Sequence, residues 1–235
     1  MSAIKLISSM APRELLKELT GQFSANTAKP VEYEAAGGVE VAKRVRRGEP
    51  FDAVVLARNA IDELAKDDLL AASSITDIAQ SGIAVAVRAD AKLPDISNEA
   101  AVKRAILAAK SVSYSTGPSG VYLEKKFAAW GILETVRPRI VVPPPGTAVG
   151  SLVASGDVAL GFQQLSELIA LPGIRVVGSL PAELQLVTVF SGALTRNASE
   201  RQAVLDMLQF MAAPQNAPLK RRFGMEAVEQ QRVQG

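Results

Sequence analysis

The sequence contains no cysteine and no histidine among its 235 residues. Without cysteine, the chain can form no disulfide and offers no thiolate nucleophile or thiolate metal ligand. Without histidine, it lacks the commonest general base and the commonest transition-metal ligand, so a Ser-His-Asp triad is impossible. Chemistry by its own side chains must use carboxylates, lysine, tyrosine, hydroxyls, arginine or backbone amides. We therefore expect no metal and no cofactor.

Aromatic residues and long apolar runs are also scarce. Aromatics make up 5% of the chain, which argues against base-stacking platforms, and the formal net charge is only +2. The basic clusters around Lys43–Arg47 and Lys220–Arg222 are interpreted as solvated helix faces. No apolar run approaches the roughly 20 residues of a membrane span. We expect no nucleic-acid partner, no membrane span and a monomer.

The first residues resemble a strand and not a secretion signal. Met1–Ile7 lacks a charged segment followed by an apolar one. The expectation is a cytoplasmic protein as the sequence stands, or a periplasmic one if a leader has been removed. In the second case an ABC transporter permease would be a partner.

Hydrophobic residues make up 48% of the chain, and predicted strands and helices alternate along it. The stripe Leu15, Leu16, Leu19 and Phe23 predicts a helix, and the apolar run Phe51–Ala57 predicts a parallel strand covered on both faces. This alternation predicts an α/β fold with two lobes, each a mostly parallel sheet flanked by helices. Further predictions are a strand at Ile140–Val142 and an N-cap at Ser199. We place lobe 1 at residues 1–83 plus 188–235 and lobe 2 at residues 84–187.

Four strand-to-helix junctions are candidate sites for a small anion. In doubly wound sheets, ligands gather at the carboxyl ends of strands, where helix N-termini offer free N–H groups and a favourable dipole. Simple caps, a tight turn or solvated surface residues are the structural alternatives. The candidate ligand-binding residues at these junctions are Ser8 and Ser9, Gly37 and Gly38, Ser115, Thr116, Ser119 and Gly120, and Gln163 and Gln164.

Arg58 is a fifth candidate, because it directly follows the buried strand that ends at Ala57. Its guanidinium there could hold a carboxylate through two hydrogen bonds, and the structural alternative is an ion pair with Asp62 one turn later. We expect Arg58→Ala to weaken anion binding at least tenfold, which is about 1.4 kcal/mol.

Several motifs, taken in order, resemble the molybdate-binding proteins of ABC transporters. The resemblance covers almost the whole chain and implies the type 2 periplasmic-binding-protein fold, with a ligand cleft between the lobes. It implies a Ser, a Ser and a Tyr around the oxyanion, where this chain has Ala11, Gly38 and Gln164. The motifs are Ala36-Gly37-Gly38, Gly48–Ala57, Gly117–Tyr122, Ser155–Phe162 and Phe210–Pro214 with Phe223-Gly224.

The substitutions favour an organic carboxylate over molybdate as the ligand. The expected function is a solute-binding protein that captures a di- or tricarboxylate by cleft closure. The alternative is a cofactor-independent isomerase, because the chain is similar to a branch that isomerises aconitate. A weaker hypothesis is an effector-sensing lobe that needs a partner chain. The isomerase requires a positioned base, for which the candidates are Tyr114, Tyr122, Glu34 and Glu40.

Overall fold

The computed structural model describes residues 2–144 and 146–228, which divide into two compact units. The first unit holds positions 2–80 and 188–228, and the second holds positions 81–187. The chain leaves the first unit after Gln80, within a strand, and returns to it after Val187. The sequence analysis placed these crossings after Ile83 and Val187.

Strands and helices alternate through most of the chain. The strands are β1 (Ile4–Ser9), β2 (Val31–Ala36), β3 (Ala53–Ala57), β4 (Thr76–Arg88), β5 (Val112–Tyr114), β6 (Leu160–Gln164), β7 (Ile174–Ser179) and β8 (Val187–Leu194). The α-helices are α1 (Arg13–Thr27), α2 (Gly38–Arg46), α3 (Arg58–Lys66), α4 (Glu99–Ala108), α5 (Pro118–Ala129), α6 (Leu133–Val136), α7 (Val149–Ser155), α8 (Leu165–Leu168), α9 (Arg201–Ala212) and α10 (Ala217–Arg222).

The first unit is built on the strand order β2-β1-β3-β8. The pairs β1–β2 and β1–β3 are parallel, and β3–β8 is antiparallel. Strand β3 is apolar on both faces, since Val55 packs in one core with α1 and α9 while Val54 packs in another with α2 and α3. The predicted doubly covered strand and the predicted apolar stripe of α1 are thus confirmed.

The second unit is built on the order β5-β6-β4-β7. The pair β5–β6 is parallel, whereas β4 is antiparallel to both β6 and β7. Phe127 and Phe162 are buried in its largest core. Helix α7 ends at Gly156, whose φ of 88° is the left-handed conformation expected of the predicted C-terminal glycine. Each unit therefore has its own core and its own row of strand ends.

Two local predictions were wrong. Ile140–Val142 is not a strand; Ile140 makes a single parallel bridge to Val112, and the nearby Pro138 and Pro143 cannot donate the hydrogen bonds that would extend the ladder. Ser199 does not cap α9, because its N–H and hydroxyl both bond Oδ1 of the buried Asp52, at 3.0 and 3.2 Å.

No helix in the described part of the chain is long and apolar enough to cross a membrane.

Candidate functional site

Two consecutive serines end strand β1 in the first unit. Ser8 is fully buried, and its Oγ donates to the carbonyl oxygen of Ser9 at 2.8 Å. The side chain of Ser9 points to the opposite face of the sheet, since side chains alternate along a strand. Ser9 is 9% exposed, and its Oγ has no hydrogen-bond partner in the described part of the chain. A buried hydroxyl without a partner costs free energy, so this oxygen is suited to a bound ligand.

Helix α2 begins beside Ser9. Gly37 is its N-cap and supplies no side-chain cap, and Gly38 is its first residue. A β-carbon built on Gly38 would lie 3.6 Å from Cβ of Ser9. The first N–H groups of a helix lack intrahelical partners and carry partial positive charge. Ser8, Ser9, Gly37 and Gly38, which we call the β1–α2 site, therefore join a buried hydroxyl to N–H groups that favour an anion.

Tyr33 on strand β2 is a neighbour of this site that sequence reasoning missed. Its Oη lies 2.7 Å from Oγ of Ser8. Burial raises the pKa of Tyr33 to about 12, although the hydrogen bond with Ser8 acts in the opposite sense. The phenol therefore keeps its proton at neutral pH. The available signal was the alternation of β2, which turns Tyr33 inward between the exposed Glu32 and Glu34.

Arg58 is the first residue of α3, at the end of β3, and it is engaged by two carboxylates. Its Nε bonds Asp62 at 2.9 Å and its Nη1 bonds Asp77 at 2.9 Å. These contacts, with Asp62 first, raise the pKa of Arg58 above its usual range. Ser191 also donates to Asp77, at 2.6 Å. The guanidinium is already paired with two carboxylates, and its side chain is 44% exposed. We therefore expect Arg58→Ala to weaken anion binding less than tenfold.

The serine-rich segment of the second unit is partly helical. Helix α5 starts at Pro118, which suits the first helical position, so Ser119 and Gly120 lie in its first turn and not in the predicted loop. Oγ of Ser115 lies 2.8 Å from Oγ of Ser119. A β-carbon on Gly120 would lie 1.6 Å from the carbonyl oxygen of Ser115, so only glycine fits there. The structure thus brings Ser115, Ser119 and Gly120 together, while Thr116 is exposed.

Ser113 on strand β5 begins the serine-rich junction of the second unit, but it was not among the candidate ligand-binding residues. It is fully buried, and its Oγ has no hydrogen-bond partner among residues 2–144 and 146–228. The signal was present in the sequence, since a serine between Val112 and Tyr114 is a polar residue in an apolar strand. It is the second-unit counterpart of Ser9, a buried hydroxyl near a strand end.

Gln163 and Gln164 are the last two residues of β6, not residues of a junction after it, because both positions pair with β4. Both side chains are buried. The Oε1 of Gln163 accepts from the N–H of Gly150 at 3.1 Å, and its Nε2 donates to Glu167 at 2.8 Å. This amide therefore joins the first turn of α7 to α8. It is used within the protein, and does not face a ligand as a free donor.

Comparison with known proteins identifies the family of this chain. Residues 4–226 match the family described as bacterial extracellular solute-binding protein. The chain belongs to that family. The chain is also 34% identical over 239 residues to an aconitate isomerase from a Pseudomonas species, covering 98% of this chain and 90% of the relative.

Solved structures show the same fold for this chain. The periplasmic molybdate-binding protein of Azotobacter vinelandii superposes with a TM-score of 0.80 at 21% identity, covering 97% of this chain and 100% of that chain. The binding protein AgtB of A. tumefaciens, in complex with agropinic acid, gives a TM-score of 0.75 at 12% identity, with 96% and 83% coverage. The predicted type 2 periplasmic-binding-protein fold is confirmed.

This chain differs from the molybdate pattern at the end of β1. The resemblance places the first oxyanion serine at Ala11, but Ala11 packs against the apolar core of the first unit. The buried hydroxyl beside the start of α2 comes from Ser9 instead. The first unit therefore has a hydroxyl donor at a different position in the sequence from the one the pattern implies.

Proposed function

We propose that this protein is a cofactor-independent isomerase that interconverts cis- and trans-aconitate. The observation that carries the proposal is its 34% identity to an aconitate isomerase across 98% of the chain. The substrate would be a tricarboxylate, in keeping with the organic carboxylate that the sequence favoured.

The reaction needs only a proton to be moved within the substrate. A base removes a proton from the CH₂ carbon of aconitate, and the electron pair spreads over the adjacent double bond and carboxylate. A proton then returns to the carbon that was vinylic, so that the double bond has changed place. Atoms and electrons balance without an oxidant, reductant or second substrate. The protein has to hold the carboxylates and position the proton-transferring group.

The β1–α2 site supports binding of one carboxylate. It offers the unpartnered hydroxyl of Ser9 beside the first N–H groups of α2. Such neutral donors hold a carboxylate by hydrogen bonds and by the helix dipole. In the second unit, the buried hydroxyl of Ser113 and the Ser115–Ser119 pair are donors of the same kind. Closure of a cleft on the ligand stays a prediction from the sequence.

A second candidate function is capture of the carboxylate without turnover. It is favoured by the contacts of the four residues considered as bases. Glu34 is paired with Arg44 and Glu40 with Arg47, while the hydroxyl of Tyr122 donates to the carbonyl of Leu184. The ring of Tyr114 packs against Phe127, and burial raises the pKa of Tyr114. Glu34, Glu40 and Tyr122 are thus already engaged within their own units, and the raised pKa of Tyr114 makes it a poor base.

The decisive experiment adds purified protein to cis-aconitate in D₂O and follows the vinyl proton signals by NMR. An isomerase produces the trans signals and places deuterium on the substrate carbon, whereas a binding protein does neither. In parallel, the melting temperature is measured with cis- and trans-aconitate, citrate, succinate, sulfate and molybdate. A shift with tricarboxylates but no conversion supports capture, and an ABC transporter permease would then be the proposed partner. No shift and no conversion would contradict both functions.

A further inference from the structure

A chain of hydrogen bonds runs from Tyr33 to the end of β1. Oγ of Ser8 lies 2.7 Å from Oη of Tyr33 and 2.8 Å from the carbonyl oxygen of Ser9. A serine hydroxyl has a single proton. Because Ser8 gives that proton to the Ser9 carbonyl, Tyr33 must donate to Ser8. The direction of the chain is therefore Tyr33 to Ser8 to the backbone of Ser9.

Each member of this chain is held in place by the sheet. Strand pairing sets Tyr33 opposite Leu6 and Ser8 opposite Ala35. Tyr33 packs against the apolar core of the first unit, and Ser8 is fully buried. The phenol is protonated at neutral pH, as a tyrosine with the ordinary pKa of 10.0 would also be, and burial raises its pKa further to about 12. The carbonyl of Ser9 thus accepts a hydrogen bond from groups that cannot easily move.

We propose that Tyr33 and Ser8 are positioning residues for ligand binding at the β1–α2 site. By fixing the peptide group that follows Ser9, they set the backbone from which the unpartnered Ser9 hydroxyl faces the start of α2. Within the β1–α2 site, Ser9 and the start of α2 would contact the ligand, while Tyr33 and Ser8 would act through the backbone. This inference rests on the proposed function, since it takes a carboxylate of aconitate as the group that Ser9 holds.

A double-mutant cycle tests whether Tyr33 acts through Ser9. The dissociation constant for cis-aconitate is measured by calorimetry for the unsubstituted protein, Tyr33→Phe, Ser9→Ala and the double variant. We expect about a fivefold loss for Tyr33→Phe and about a tenfold loss for Ser9→Ala, as for single hydrogen bonds to neutral and charged groups. The double variant should bind no more weakly than Ser9→Ala alone. Independent effects would instead multiply to about fiftyfold.

The control is Thr20→Val, which removes a buried hydroxyl on α1 that donates to the carbonyl of Lys17 at 3.0 Å. It should leave the affinity unchanged. Ser8→Ala should reproduce the loss seen in Tyr33→Phe, because it breaks the same chain. Unchanged affinity in Tyr33→Phe, or multiplied losses in the double variant, would overturn the inference.

The same cycle is measured with molybdate, so that the two proposals can fail separately. Binding of molybdate but not of aconitate would overturn the proposed function, while the coupling between Tyr33 and Ser9 would still be measurable. Binding of cis-aconitate with no coupling would overturn only the positioning role. An unsubstituted protein that binds neither anion would overturn both.

Discussion

The ends of strands β1 and β6 carry comparable pairs of polar residues but use them differently. At the end of β1, the hydroxyl of Ser9 is buried, unpartnered and next to a helix start. At the end of β6, both polar groups of the Gln163 side chain are taken by Gly150 and Glu167. A polar residue at a strand end can thus serve a ligand or brace its own unit. Hydrogen-bond partners, and not position alone, distinguish the two cases.

The largest expected effect is on stability, and it distinguishes the start of α5 in the second unit from the start of α2 in the first. Gly120→Ala would place a β-carbon 1.6 Å from the Ser115 carbonyl oxygen, so the backbone at the start of α5 must move. We expect the free energy of unfolding to fall by about 3 kcal/mol or more. Urea unfolding followed by circular dichroism measures it.

Gly38→Ala is the matched control in the first unit. The added methyl would make only ordinary contact, 3.6 Å from Ser9 Cβ and 3.8 Å from Leu56. Alanine also favours helix, so stability should be unchanged or rise by up to about 1 kcal/mol. Equal losses in Gly38→Ala and Gly120→Ala would show that the close approach at Gly120 does not distinguish the two helix starts.

The second prediction tests whether Gln163 stabilises its own unit whereas Ser9 does not. Gln163→Met keeps the side-chain volume similar but leaves the N–H of Gly150 buried without its acceptor. We expect a loss of about 2 kcal/mol in the free energy of unfolding. Ser9→Ala removes a hydroxyl that has no partner in the described residues, so stability should not fall. If Ser9→Ala costs as much stability as Gln163→Met, the Ser9 hydroxyl has a structural partner.

These contrasts also explain what the sequence could and could not predict. The apolar stripe of α1 and the doubly covered β3 are local patterns, and both were found where they were predicted. The cap at Ser199 failed because its outcome depends on Asp52, which lies 147 positions earlier. In the candidate site, the junction at Ser8-Ser9 was visible as a run of small polar residues. Tyr33 was missed because it meets Ser8 only through pairing of β1 with β2.

The third prediction uses alkaline pH to test the burial of Tyr33 in the first unit. The pKa of Tyr33 is about 12 in the folded protein against an ordinary value of 10.0. Between these values the unfolded chain loses a proton that the folded one keeps, so stability falls as pH rises from 10 to 12. Tyr33→Phe should remove this part of the fall, as measured by urea unfolding at several pH values. An identical pH dependence in the two proteins would show that the phenol is not buried as described.

The smallest effect is expected at Arg58, the residue that the sequence made the strongest charged candidate. Its guanidinium already bonds Asp62 and Asp77, so an added carboxylate would meet a neutralised group. We expect Arg58→Ala to change the affinity for cis-aconitate by less than about threefold, below 0.7 kcal/mol or so. Calorimetry beside Ser9→Ala compares the two directly. A tenfold loss in Arg58→Ala with no loss in Ser9→Ala would place the ligand at the end of β3 and not at the β1–α2 site. The charge of the arginine would then contribute more to anion binding than the unpartnered hydroxyl of Ser9 does.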